Sequence, residues 1–227
     1  MTDAFNRRLL PLLTALTGLA TLAVTLAFQQ LAAVKAAGTC MGPGSVVQFE
    51  FARTPAELAA VFGPAVCRHP VISGMDAVNH LDIAAYIPAY TAFAILAALW
   101  LGGRSRLALA AVGLAAVAFI ADMVETTTLL RITKDIAAAG PLLPRSSTAA
   151  WIKFAALGGH GLTLALVCLR ATPRRRILAV LLVLPAIGVV AARVDPGSIG
   201  LMTAGLGLGW TAMMLLALRE TAWPRKT

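Results

Sequence analysis

The chain has 227 residues, 59% of them hydrophobic and 13% charged, with a mean hydropathy of +0.83. A soluble domain is typically about 45–50% apolar and 25% charged, so the composition excludes a soluble class and indicates a membrane protein. The net charge of +9 does not point to nucleic acid, because the basic residues fall in short runs between apolar segments, the pattern of a positive-inside topology signal.

Crossing a hydrocarbon core takes about 20 apolar residues, and six segments reach or approach that length: 9–33, 81–101, 107–130, 149–169, 177–192 and 199–218. The expected fold is all-α, a polytopic transmembrane helix bundle of six spans forming a single integral membrane domain over residues 1–227. One long extracytoplasmic loop, residues 34–80, carries a short helix. The first apolar run follows Arg7 and Arg8 but exceeds the roughly 7–15 residues of a cleavable signal core. It is read as a retained helix.

Counting Lys and Arg by side sets the orientation. With the N-terminus inside, the cytoplasmic ends and loops hold Arg7, Arg8, Arg104, Arg106, Arg170, Arg174, Arg175, Arg176, Arg219, Arg225 and Lys226. The opposite side holds Lys35, Arg53, Arg68, Arg131, Lys134, Arg145 and Arg193. Eleven against seven, with the short loops deciding, places both termini in the cytoplasm and the chain in a bacterial inner membrane, with membrane lipids as its partners.

Within the long loop, Gly42, Pro43 and Gly44 mark a turn ahead of the run VVQFEF at 46–51. Thr54, Pro55 and Glu57 then fit a capping box with proline at the first helical position. That helix is expected to stop near Phe62 at Gly63-Pro64. Ala56, Ala59, Ala60 and Phe62 give it a weakly apolar side to rest on the bundle as a lid; a solvent-exposed helix is the other reading. Cys40 and Cys67 flank this element. In an oxidising compartment they are expected to form a disulfide, worth about 3 kcal/mol by loop closure. Neither belongs to a C-x-x-C pair, so a structural bond is favoured over redox chemistry, and Cys168 is left for packing.

The second span aligns Asp82, Tyr86 and Tyr90 at i, i+4 and i+8, with Pro88 positioned to kink the helix. The third span carries Asp122 and Glu125, about 12 and 7 Å inside Leu130 at 1.5 Å per residue, above Ala115 and Ala118 on the same face. Thr126, Thr127 and Thr128 follow. Its helix is expected to run a turn or two past the membrane and stop at Gly140-Pro141, with Ser146 or Ser147 capping the fourth. The fourth span holds Lys153 and, two turns deeper, His160 within Gly158-Gly159-His160-Gly161. The fifth is short and contains Pro185, and Arg174, Arg175 and Arg176 before it can snorkel. Gly205 and Gly209 in the sixth form a G-x-x-x-G pattern, suited to close packing inside the bundle or to an oligomer face. Trp100, Trp151 and Trp223 fit interfacial anchoring.

Charges in membrane helices are costly and usually mark function. Asp82, Asp122, Glu125 and Lys153 all fall in the same half of the bundle, and three acids against one lysine require a proton, a cation or a basic ligand. Three readings stay open. The first is an ion-pair network that fixes helix register, with a structural or accessory role. The second is an outward-facing polar site binding or transporting a small molecule or ion, using Asp82, Asp122, Glu125 and Lys153 with Tyr86, Tyr90 and His160. The third is a membrane enzyme acting on a lipid or isoprenoid by carboxylate acid–base chemistry, for which no catalytic residue is assigned. His69, His80 and His160 form no H-x-x-H or E-x-x-H pair, so neither a metal nor a cofactor is expected.

Leu81-Asp82 with Tyr86 and Tyr90, Asp122-Met123-Val124-Glu125 with Leu129-Leu130, and Trp151-Ile152-Lys153-Phe154 resemble a pattern in small uncharacterised bacterial polytopic membrane proteins. These carry an L-D…Y span, a D-x-x-E span and a lysine-bearing span. The stretch FEFARTPAELAAVFG at 49–63 is similar to them too, so the resemblance covers about residues 45–170. It implies the same choice of polar residues and carries no activity. The layout is loosely similar to sterol-isomerase-type membrane proteins, whose motifs do not match.

Overall fold

The computed structural model describes residues 2–42, 44–170 and 173–222. Pro43, Trp223, Arg225 and Lys226 lie outside the described residues, as do the side chains of Arg7, Arg8 and Arg174. The described residues are almost wholly helical, with no strand among them. The helices are α1 (Thr2–Phe28), α2 (Ala32–Ala37), α3 (Ser45–Phe51), α4 (Pro55–Phe62), α5 (Ala65–Leu81), α6 (Ile87–Gly102), α7 (Arg106–Lys134), α8 (Leu143–Leu169), α9 (Pro173–Val194) and α10 (Ile199–Ala222). Six helical runs are long and apolar enough to cross a membrane: this is an all-α polytopic membrane protein.

Several boundaries differ from those read in the sequence. The stretch expected to be a loop with one short helix is helical over most of its length. α5 begins at Ala65, so the second crossing is a 38-residue helical run from Ala65 to Gly102 rather than one starting at Leu81. Polar residues such as Asp76, Asn79 and His80 interrupt the hydropathy there without interrupting the helix. α7 ends at Lys134, before Gly140-Pro141, and α8 begins at Leu143. Ser146 and Ser147 are therefore buried inside α8 rather than capping it. The fifth crossing is longer than its apolar core, because the helix takes in the flanking arginines and runs through Pro185.

The capping box is present. Thr54 Oγ1 accepts from Glu57 N at 3.2 Å, and Glu57 Oε2 accepts from Thr54 N at 3.0 Å and Arg53 N at 2.7 Å. The backbone bonds hold the exposed Glu57 carboxyl below its usual range, Arg53 N contributing most. α4 rests on Leu58, Val61 and Phe62, while Ala56, Ala59 and Ala60 face away. Of the expected face Phe62 is buried and the three alanines are not: at a 3.6-residue period the larger apolar side chains set the buried stripe.

The described residues form two compact units. The first comprises residues 1–21, 89–118 and 154–227, with a core of Phe93, Ala97, Leu101, Ala111, Leu164, Leu178, Leu182 and Met213. Here α9 and α10 approach backbone to backbone. A Cβ on Gly188 would stand 2.5 Å from Met202 Cα, and one on Gly205 2.8 Å from the Leu184 carbonyl carbon. Gly205 and Gly209 thus pack against α9 within the chain, the internal alternative of the two expected for this pair. The second unit comprises residues 22–88 and 119–153, with a core of Phe49, Leu58, Phe62, Val71, Met75, Leu129, Ile132 and Leu143. A disulfide joins Cys40 and Cys67, bracketing α3 and α4. Gly44 and Gly63 take φ of +80° and +66° at the turns entering α3 and leaving α4, a region that disfavours side chains.

Candidate functional site: a buried lysine among carboxylates

The second unit contains the polar centre. Lys153 projects from α8, and its Nζ stands 2.8 Å from Glu125 Oε1 and 3.2 Å from Asp122 Oδ1, both on α7. The two acids are neighbours because i and i+3 share a helix face. All three residues are at most 5% exposed. Each lies about 14–18 Å from the nearer end of its helix at 1.5 Å per residue, so helix geometry puts the group well inside the segments that cross a membrane.

A third carboxylate completes the group. Glu50 Oε2 is 3.4 Å from Lys153 Nζ, an ion-pair distance without hydrogen-bond geometry. Glu50 comes from α3, which is too short to span anything, and it is buried there by its neighbours. Phe49 packs edge-on against Phe62, and Phe51 against Trp151 of α8 at 4.8 Å between ring centroids. Arg53 Nε donates to Ser147 Oγ at 3.0 Å. The Phe51–Trp151 contact seats α3 beside α8, the Arg53–Ser147 hydrogen bond ties the turn after α3 to α8, and Phe49 packs α3 on α4. Burial pushes the Glu50 carboxyl above its usual range, with Lys153 pulling the other way. Glu50 was not among the residues expected from sequence. Its signal was present: an acid placed between two phenylalanines in an otherwise apolar run.

Asp82 belongs to the same group at longer range, within electrostatic reach of Asp122, Lys153 and Glu50. Its Oδ2 accepts from Thr126 Oγ1 at 3.2 Å. It opens a π-helical turn, Asp82–Tyr86, in which Ile87 N donates to the Asp82 carbonyl. Pro88 accounts for the turn. It has no N–H for the carbonyl four residues back, and its ring crowds that carbonyl, so the ladder widens to five residues. Such turns recur at functional sites.

The wider turn spans Asp82 to Tyr86, and Tyr86 remains within electrostatic reach of Asp82. Tyr86 stays in the second unit and packs edge-on against Phe28. Tyr90 belongs to the first unit, buried and stacked on Trp210 at 5.6 Å. His160 belongs to the first unit as well, its Nε2 3.2 Å from the Ala94 carbonyl oxygen. Of the seven residues expected at the site, the second unit therefore contains Asp82, Tyr86, Asp122, Glu125 and Lys153, and gains Glu50. Tyr90 and His160 have partners of their own in the first. Among the described residues no group of three or more His, Cys, Asp or Glu side chains has the arrangement of a metal site.

Chemically, among the described residues, Glu50, Asp82, Asp122 and Glu125 gather around one base, Lys153. Glu50 Oε2 and Glu125 Oε2 are both buried with no hydrogen-bond partner among the described residues. A buried acceptor without a donor costs about 1–3 kcal/mol, more when charged. A proton on one of the two carboxyls turns an acceptor into a donor and removes that cost. No protein-family model matches the chain, and no curated protein or solved structure shows significant similarity to it.

Proposed function

We propose that this membrane protein binds a proton, reversibly, in the Glu50–Asp122–Glu125–Lys153 cluster, and that proton binding serves transport of an ion or small molecule. The observation that carries the reading is the meeting of Glu50 and Glu125, two buried carboxyl groups that lie against the same Lys153 ammonium, at 3.4 and 2.8 Å. Two bare carboxylates so placed repel, and a proton on one of them removes the repulsion. In this reading the site faces the extracytoplasmic side of a bacterial inner membrane, as the distribution of Lys and Arg suggests. Asp82 and Thr126 extend its polar wall.

Infrared difference spectroscopy on the protein in lipid nanodiscs tests the reading. At neutral pH the wild type is expected to show a protonated carboxyl band that shifts in heavy water and disappears in Glu125→Gln. A wild type with no such band ends the proposal.

A second reading rests on the direct contacts of Lys153 with Asp122 and Glu125: an ion-pair network that fixes helix register. Buried pairs contribute specificity more readily than stability. The two readings part on the proton, which a register-fixing pair does not need to exchange.

A further inference from the structure

α7 presents one polar stripe, Asp122, Glu125, Thr126 and Thr133, and the run from α5 into the π-helical turn presents another, Asp76, Asn79 and Asp82. The stripes meet at two points in the second unit. Thr126 Oγ1 donates to Asp82 Oδ2 at 3.2 Å, and Thr133 Oγ1 donates to Asp76 Oδ1 at 2.5 Å. Asn79 lies between these contacts, three residues from each aspartate. Since both flanking residues bond α7, helix geometry turns Asn79 toward α7 as well. It is 3% exposed, and its Nδ2 has no hydrogen-bond partner among the described residues. A buried amide donor of this kind is normally satisfied by water. At the other end of the seam, Thr133 is one residue from the end of α7 and Asp76 is partly exposed. From Thr133 to Asp122 the seam runs about 16 Å at 1.5 Å per residue.

We infer that this seam is a hydrated route along which protons exchange between the carboxylate cluster and solution. A proton enters at Asp76 and passes Thr133, Asn79, Asp82 and Thr126. It is received on the Glu125 or Glu50 carboxylate, and it leaves by the same path. The inference rests on the proton-binding reading above and adds the path. Interhelical hydrogen bonds between membrane helices are worth only about 0.6 kcal/mol on average. Helix association alone therefore gives little reason to gather three acid or amide side chains against α7, and still less to leave one amide donor unbonded.

The route is tested by thiol reactivity in otherwise full-length protein carrying Cys168→Ala, with the Cys40–Cys67 disulfide intact. Asn79→Cys and Thr133→Cys are treated with a small cationic methanethiosulfonate, and Val78→Cys and Ile132→Cys, at buried apolar neighbours, serve as references. The seam positions are expected to react at least about tenfold faster than their neighbours, since reaction requires a hydrated thiolate. Thr133→Cys gives an independent reading if Asn79→Cys folds poorly. Equal inertness at the seam and reference positions overturns the route. In a second arm, Asn79→Leu is expected to slow deuterium exchange of the protonated carboxyl band while leaving its amplitude unchanged. An unchanged exchange rate also overturns the route. If the seam cysteines react but the wild type has no carboxyl band, the proton-binding reading falls instead, and the proton cargo with it.

Discussion

Lys153→Met removes the ammonium that Glu50, Asp122 and Glu125 share. The methionine fills nearly the same volume, so packing changes little and the loss is electrostatic. Removing one partner of a buried pair typically costs about 3–5 kcal/mol, because a charge is left uncompensated. The folded state limits that cost by taking up protons. Glu50, already held above its usual 4.5 by burial, loses its main opposing influence when the ammonium goes. Protonating an ordinary glutamate at neutral pH costs about 3 kcal/mol, so the expected loss is about 3–5 kcal/mol there. The sign follows from linkage. A carboxyl raised in the folded state contributes stability that is present at low pH and lost as pH rises through its folded value. The Lys153→Met penalty should therefore shrink by about 1.4 kcal/mol per pH unit of acidification for each proton taken up. Thermal melting in nanodiscs across a pH series measures it, with Lys153→Arg as the charge-retaining control. A Lys153→Met protein that melts within about 1 kcal/mol of wild type at every pH would refute the reasoning, because ordinary polar glue between membrane helices is worth about that little.

Glu50→Gln keeps the side-chain shape and removes the titrating group. Because the Glu50 carboxyl is raised in the folded state, the wild type should lose stability on the alkaline side and the variant should lose less, as read from the two melting curves. Reducing the Cys40–Cys67 bond, which closes a separation of 27 residues, should cost about 3.5 kcal/mol by loop-closure entropy. A reductant-dependent fall in melting temperature, absent in Cys40→Ser, checks this. Thr54→Ala removes the capping box of α4 and should cost about 1 kcal/mol, seen as faster amide exchange confined to residues 55–62. Gly188→Leu drives a side chain into the α10 backbone at Met202 and should abolish folded yield on size-exclusion chromatography, while the same change at exposed Gly207, with open space around it, is expected to be tolerated.

Composition and hydropathy are enough to assign the class of the molecule. Apolar runs of about 20 residues point to six helical crossings, because a helix satisfies its backbone hydrogen bonds within one segment in lipid. The capping box at Thr54 and Glu57 was legible for a similar reason, since both partners lie within one turn of chain. So were Asp122, Glu125 and Lys153, because a charge in an apolar helix is conspicuous at any position. Which side chains meet depends instead on how the helices pack. Glu50 joins the cluster because its neighbour Phe51 packs on Trp151, about 100 residues away in the chain, and no local pattern encodes such a meeting. Tyr90 stacks on Trp210 of α10, another long-range meeting that no local pattern encodes. Hydropathy reports the cost of each residue in lipid separately. The pairing of a buried charge depends on which helices are adjacent, and adjacency is a property of the packed chain.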